Sequence, residues 1–329
     1  MKHAVVGTGY WGKNHARVGA ELVEEGILDS LILCDVDEQR VSELADQYGV
    51  EYVTDTAALP DYGVDTATIA TPSTTHHDIA THLFEAGLDL LVEKPLALES
   101  DAAWDIVKRA EENNATLGVG HIFRCHPALN ELKRRIDRGE LGDIKYLNTN
   151  RFSFRVPRDT TGVLYSLAVH DVDIYSYLLG ETPDTLFCTM DRFIRDDIDE
   201  TATLVLEYDG TTGVINESWQ VPVFGKQRDL AVIGTERAAH LDYLEDTVLE
   251  IYDATVTRTD GCLRAQEEGR QTYETEPREP LRVEIEEFLD ACMKGTTPRA
   301  SGRVGAQTVE LLEAAQISDK EDRTLSLTD

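Results

Sequence analysis

Residues 5–12 read Val5-Val6-Gly7-Thr8-Gly9-Tyr10-Trp11-Gly12, and the apolar run Leu31-Ile32-Leu33-Cys34 ends on Asp35, 23 residues beyond Gly12. Three glycines in a G-x-G-x-x-G spacing are weak evidence alone. They become strong when they follow a strand, open a helix and are answered by an acid about 20 residues later. Gly7 permits the tight turn, Gly9 lets backbone approach a pyrophosphate, and Gly12 lets the helix lie against the sheet. Thr8, Tyr10 and Trp11 complete the turn, and the amides that follow face the phosphates. Asp35 is placed to accept hydrogen bonds from the adenine ribose. Its charge repels a 2′-phosphate, and Val36 and Asp37 bring no cation to offset it, so the pattern favours NAD over NADP.

The pattern continues outward from that turn. Over the first 120 residues strand-like runs near 2–7, 31–35, 66–70, 89–93 and 116–120 alternate with helical stretches such as Trp11 to Glu25 and Val41 to Tyr48. Such alternation predicts a doubly wound parallel sheet of the Rossmann type. Ligands of such sheets sit at the carboxyl ends of the strands. Thr71-Pro72-Ser73, Glu93-Lys94-Pro95 and Gly120-His121 all fall there, beside the glycine turn.

After residue 120 the rhythm changes. Helical stretches at 127–138, 164–179, 280–293 and 303–316 accompany strand-like runs at 145–155, 186–193, 201–208, 212–221, 228–234 and 238–252. Residues 1–120 therefore read as an NAD-binding Rossmann domain. Residues 121–329 read as an α+β domain with a large, mostly antiparallel open sheet. The acidic stretch 263–279 is expected to be a mobile loop.

Composition narrows the function. With 62 acidic and 31 basic residues the net charge is −31, a field that opposes nucleic acid and anionic membranes. The acids run along the whole chain rather than in a tail, which suits a salt-rich cytoplasm and points to a halophilic source. The five cysteines are scattered with no C-x-x-C, the usage of a reduced cytosol. No H-E-x-x-H occurs, so no metal site is expected. No apolar run approaches the ~18 residues of a membrane helix.

Two residues stand out for chemistry. Lys94 follows a buried strand and precedes a proline, which places an ammonium to stabilise an alkoxide. His170 lies within the helix 164–179 and suits a general base for alcohol oxidation. His76, soon after Thr71-Pro72, is placed to touch the nicotinamide ribose. Arg151, Arg155 and Arg158 are candidate cations for a pyrophosphate-bearing substrate.

Gly7-x-Gly9-x-x-Gly12, Thr71-Pro72-x-x-x-His76, Glu93-Lys94-Pro95, His170 and Ile233-Gly234-Thr235 together resemble the Gfo/Idh/MocA family of sugar and cyclitol dehydrogenases over essentially the whole chain. The resemblance implies Lys94 and His170 as catalytic residues. It also implies NAD or NADP as cofactor, with Glu93 in its site, and a homodimer or homotetramer built through the open sheet. Two stretches, Gly120-His121-Ile122-x-Arg124-x-x-Pro127 and Arg158-Asp159 followed by Gly162 to Asp173, are similar to the UDP-N-acetylglucosamine 3-dehydrogenase branch. That points to a nucleotide sugar, with Arg124 and His126 near it. His126 departs from the branch's asparagine, and Ser166 stands where the family often carries an aspartate, one helical turn before the histidine. Ser166 brings a hydrogen bond but no charge, either to His170 or to substrate. A free-sugar or inositol dehydrogenase is the alternative within enzymes, and a catalytically silent NAD-binding regulator the alternative outside them.

Overall fold

A computed structural model of the chain describes every residue except Asp159, Phe224 and Asp329, together with all remaining side chains but that of Thr259. Asp159, part of the stretch similar to the nucleotide-sugar branch, therefore lies outside the described residues. The chain forms two compact units, Met1–Ile122 with Glu279–Glu310, and Phe123–Arg278 with Leu311–Asp329.

In the first unit β1 (Lys2–Val6), α1 (Gly12–Glu24), β2 (Ser30–Cys34), α2 (Glu38–Tyr48), β3 (Glu51–Val53), β4 (Thr66–Ile69), α3 (His76–Glu85), β5 (Asp89–Val92), α4 (Ser100–Glu112) and β6 (Leu117–Val119) alternate as predicted. All six strands are parallel in the order β3-β2-β1-β4-β5-β6. Side chains alternate across this sheet with period two. Ala4, Val6, Ile32, Leu90 and Val92 pack toward α3 and α4. Val5, Leu31 and Leu33 pack toward α1 and α2. Burial on both faces is what turns these strands into continuous apolar runs. The short edge strand β3, Glu51-Tyr52-Val53, buries only its last residue, which left no periodicity to read.

The carboxyl-terminal helices do not all stay with the second domain. Leu281, Ile285, Phe288 and Leu289 of α7 (Pro280–Lys294) pack with Val18, Leu22, Leu28 and Leu91 of the first unit. The amide of Val119 donates to the Ala300 carbonyl. Helix α8 (Gly302–Glu321) starts in the first unit and ends in the second. A boundary drawn at residue 120 thus falls two residues early, and the tail is shared. An amphipathic helix advertises an apolar face but not which core receives it.

The second unit holds α5 (Pro127–Asp137), β7 (Ile144–Ser153), α6 (Val169–Leu179), β8 (Thr185–Asp191), β9 (Thr201–Tyr208), β10 (Thr211–Ser218), β11 (Lys226–Gly234), β12 (Ala238–Asp242), β13 (Val248–Thr259), β14 (Cys262–Glu274) and β15 (Leu325–Ser326). They form a sheet in the order β14-β13-β12-β11-β7-β10-β9-β8-β15, antiparallel except for the parallel pair β7–β10. Leu147, Thr149 and Arg151 of β7 and Gly213, Ile215 and Glu217 of β10 point to the buried face. Gly213 lies under the Tyr175 ring, 2.7 Å from where a Cβ would stand, so α6 covers that face.

Three expectations change here. The run 238–252 is two strands, because Asp242 turns the chain by accepting the Leu244 amide at 2.8 Å. Most of the acidic stretch 263–279 is strand: β14 pairs with β13 from Val248↔Glu274 to Thr259↔Cys262, and only 275–279 lie outside a helix or strand. Its residues are exposed on both faces, so no apolar alternation marks it. The predicted helix 164–179 is broken in character: Leu164–Ala168 is a π-helical turn, with the Val169 amide reaching back to the Leu164 carbonyl, and only then does α6 begin.

Candidate active site

The glycine turn follows β1 at the point where strand order reverses between β1 and β4, the place where doubly wound sheets bind ligands. Gly7 has φ +89°, and a Cβ there would meet Ala70 and Thr71 backbone at 2.8 Å. A Cβ on Gly12 would stand 1.7 Å from the Gly7 carbonyl oxygen, so helix and turn touch backbone to backbone. Gly9 faces open space with nothing within 4 Å, room that a side chain would fill and a pyrophosphate needs. The first turn of α1 has no side-chain cap; its Lys13 and Asn14 amides donate to the Gly9 and Trp11 carbonyls at 3.2 and 2.8 Å. Tyr10 is 81 % exposed, and the Lys13 ammonium lies 5.6 Å over its ring. The turn therefore fits a dinucleotide.

Asp35 is nearly buried and well anchored. One oxygen accepts the Thr8 amide at 2.7 Å and the Thr8 hydroxyl at 2.9 Å; the other accepts the Asp37 amide at 3.0 Å. Burial pushes its pKa up, but these donors outweigh burial and hold the carboxyl below its ordinary value. A cation does stand beside it, contrary to the reading from Val36 and Asp37. Arg40, in the first turn of α2, lies 3.2 Å from Asp35 and 2.8 Å from Asp37. The helix brings it back one turn, a distance the adjacent sequence does not show.

Lys94 is half-buried just past β5. Glu93 before it is turned inward: one oxygen faces His15 Nε2 of α1 at 2.8 Å, and the other accepts the Lys94 amide at 3.2 Å. Gly120 leaves space for that carboxyl, since a Cβ there would lie 3.0 Å from it. Burial raises the Glu93 pKa, but the contacts with His15 and Lys94 together outweigh it and hold the carboxyl below its ordinary value. His15 thus links the phosphate-facing helix to the lysine; its place three residues after Gly12 was the signal for it. His76 does not face a ribose. It is fully buried, with Nε2 3.0 Å from the Thr71 carbonyl and Nδ1 3.1 Å from that of Pro95, and burial lowers its pKa. It braces the Thr71-Pro72-Ser73 turn, where Thr75 donates to the Thr71 hydroxyl at 2.8 Å, against the turn that carries Lys94.

In the second unit His170 is half-exposed at the start of α6, and its ring meets the Phe123 ring edge to face at 5.0 Å. The preceding π turn is held by Asp199, which accepts the Leu164 amide at 2.8 Å. Ser166 is buried with its hydroxyl 3.0 Å from that of Thr161. The π turn also replaces the α-helical spacing on which the pairing of Ser166 with His170 rested. Such turns are frequent at functional sites.

The expected substrate cations divide. Arg151 is 2 % exposed and forms a two-pronged ion pair with Asp171. It is an interior residue, not a substrate contact. Arg124 is 8 % exposed and pairs with Asp173 at 2.8 Å. His126 is 2 % exposed, accepts the Leu129 amide as the cap of α5, and is pushed down to about 4 by burial. Arg158 is exposed, as is Arg155, whose guanidinium lies 5.7 Å from the Trp219 ring. A lone strand pattern cannot say which face an arginine takes when its partner is a helix 20 residues away.

A glycine-turn cradle, an anchored acid just past β2 and a strand-end lysine fit a dinucleotide-dependent oxidoreductase. Residues 1–121 match the profile described as "Oxidoreductase family, NAD-binding Rossmann fold" of the Gfo/Idh/MocA proteins, and residues 129–240 match that family's carboxyl-terminal domain; the chain belongs to this family. It is 28% identical over 293 residues to UDP-N-acetylglucosamine 3-dehydrogenase of Acidithiobacillus ferrooxidans, covering 88% of each chain. It is 26% identical over 338 residues to inositol 2-dehydrogenase of Rhizobium meliloti, covering 99% of each. The solved structure of GenD2 from gentamicin A biosynthesis, in complex with NAD, superposes with a TM-score of 0.84 at 27% identity, covering 100% of this chain and 97% of that one.

Proposed function

We propose that the protein oxidises a secondary hydroxyl of a sugar or nucleotide sugar, with Lys94 and His170 as the catalytic residues. Bound NAD+ supplies a hydride acceptor at its nicotinamide. Gly7, Gly9 and Gly12 hold the dinucleotide's phosphates and Asp35 its ribose. His170 takes the hydroxyl proton on its imidazole, and the Lys94 ammonium stabilises the negative charge left on the oxygen. The observation that carries the reading is the setting of Lys94, held at the carboxyl end of the sheet beside the cofactor turn by Glu93, His15 and His76.

For the substrate, the similarity to the Acidithiobacillus enzyme makes UDP-N-acetylglucosamine the first compound to assay, with Arg155 and Arg158 the expected cations that stay exposed. A free sugar or inositol is the second reading. It is favoured by the burial of Arg151 and the pairing of Arg124, which remove two charges a pyrophosphate would use. We also propose a homo-oligomer through the outward face of the large sheet, where Tyr146, Phe152, Val205 and Val214 are half-buried rather than covered. A salt-rich cytoplasm completes the proposal, on the strength of the net charge of −31.

The test is NADH formation over a panel of nucleotide sugars, free sugars and inositols in high salt. Lys94→Ala and His170→Ala should each lower turnover by about 100-fold or more while NAD still binds. Full activity in either variant overturns its assignment. NAD binding with no turnover on any of these substrates would instead make the protein a silent regulator.

A further inference from the structure

The register of the large sheet sets three charged residues side by side. Arg228 of β11 is the partner of Arg151 on β7, and Arg151 is the partner of Glu217 on β10. Two arginines directly opposite each other are unfavourable in a sheet, and Glu217 and Arg151 are buried within it. The row is reconciled by α6, whose Asp171 sits over it and takes both prongs of the Arg151 guanidinium. Burial first, then the charge of Asp171, push the Glu217 pKa well above the ordinary carboxyl range. The buried cluster therefore holds one tight ion pair, Arg151 with Asp171, with the buried Glu217 carboxyl beside it.

Asp171 is the residue after His170. The Arg151 guanidinium also lies against two neighbouring rings, 4.5 Å from Phe123 and 4.4 Å from Tyr243. Phe123 in turn meets the His170 ring at 5.0 Å and the Tyr243 ring at 5.1 Å, both edge to face. Arg151 thus reaches His170 by two routes, through the backbone at Asp171 and through the ring of Phe123. We propose that Arg151, Asp171 and Phe123 are positioning residues that fix the rotation of α6 and the plane of the His170 ring. A buried ion pair is poorly explained by stability alone, because apolar residues of similar volume often replace one with no loss. Its two-pronged geometry orients, where apolar packing would only fill. No part of this cluster has to touch substrate.

The inference rests on His170 being the base, so its test keeps the two apart. Three variants are compared with the wild type: Phe123→Leu, Arg151→Lys, and the apolar pair Arg151→Met with Asp171→Leu. The readouts are kcat against KM, thermal stability, and the NMR ring signals of His170, assigned by their loss in His170→Asn. Loss of positioning should lower kcat by about 10- to 100-fold with KM nearly unchanged, since small misplacements of a reacting group carry penalties of that size. The His170 ring signals should shift in Phe123→Leu and in the apolar pair. The apolar pair should still fold, and Arg151→Lys, which keeps charge without the fork, should recover only part of the rate. Wild-type kcat and unmoved His170 signals in Phe123→Leu and in a folded apolar pair overturn the proposal. If His170→Asn keeps full turnover, the base assignment fails instead, and the ring signals still decide whether the cluster positions that side chain.

Discussion

Asp35 and Arg40 show how a single side chain can alter what a motif means. In the proposed site Asp35 alone would favour ribose hydroxyls over a 2′-phosphate. Arg40 competes for the same carboxylate oxygens and offers a phosphate the cation it would need. Arg40→Ala should leave NAD affinity unchanged or higher and weaken NADP binding by about tenfold, the worth of one charge-assisted contact. Fluorescence titration with each dinucleotide measures both, and unchanged NADP affinity would remove Arg40 from the site. His3 makes a different prediction. It is buried between the Thr66 and Thr68 hydroxyls at 2.8 and 3.0 Å, and burial pushes it down to about 3. The unfolded chain titrates near 6.5, so between those values it binds the extra proton, and stability is lost as pH falls from about 6.5. His3 alone should cost about 2 kcal/mol between pH 7 and pH 5. His76 and His126, also lowered, act in the same direction. Calorimetry across that range should show the loss, with a shallower slope in His3→Val; equal slopes would acquit His3.

At the scale of elements, the π turn Leu164–Ala168 is the segment that leads into the proposed base His170. It delivers the chain into α6 two residues before His170. Asp199 anchors it, although burial raises that carboxyl's pKa. Gly162 is required for the approach, because a Cβ there would stand 1.8 Å from the Asp199 carboxylate. Gly162→Ala should therefore displace Asp199, release the Leu164 amide and lower kcat by about tenfold or more. NAD affinity should stay within twofold, since the turn lies in the other unit. A variant with normal kcat would show that the π turn tolerates the shift. The long ribbon β13–β14 is a contrasting element. Among the described residues, only Ala238–His240 of β12 pair with β13, so the outer part of the ribbon has two strands and no third neighbour there.

At the scale of the molecule the decisive quantity is charge. A net charge of −31 on 329 residues destabilises the folded state by self-repulsion, which salt relieves as the screening length falls from about 10 Å at 0.1 M to about 3 Å at 1 M. Thermal stability should rise by at least several degrees between about 0.1 M and about 2 M KCl. A flat or falling curve would argue that the acidic residues are already compensated within the fold. The many arginine–carboxylate pairs on the surface do not change this expectation, because exposed pairs contribute little each.

Much of this protein is legible in its sequence because the signals are local. Gly7, Gly9, Gly12 and Asp35 belong to one strand–turn–helix–strand unit whose backbone geometry permits few alternatives, and strands buried on both faces announce themselves as apolar runs. Lys94 could be placed for the same reason, since a residue just past a central strand has only one end of the sheet to occupy. What the tertiary structure decided depends on partners distant in sequence. Arg151 became an interior residue because Asp171 lies above it on α6, and His76 became a brace because the Pro95 carbonyl faces it. Arg40 reached Asp35 through a helical turn, and α7 joined the first unit because Leu91 and Val18 offered it a core. Residue type and period determine which element forms and which face is apolar. The partner that neutralises a charge or receives an apolar face is set only when the chain folds.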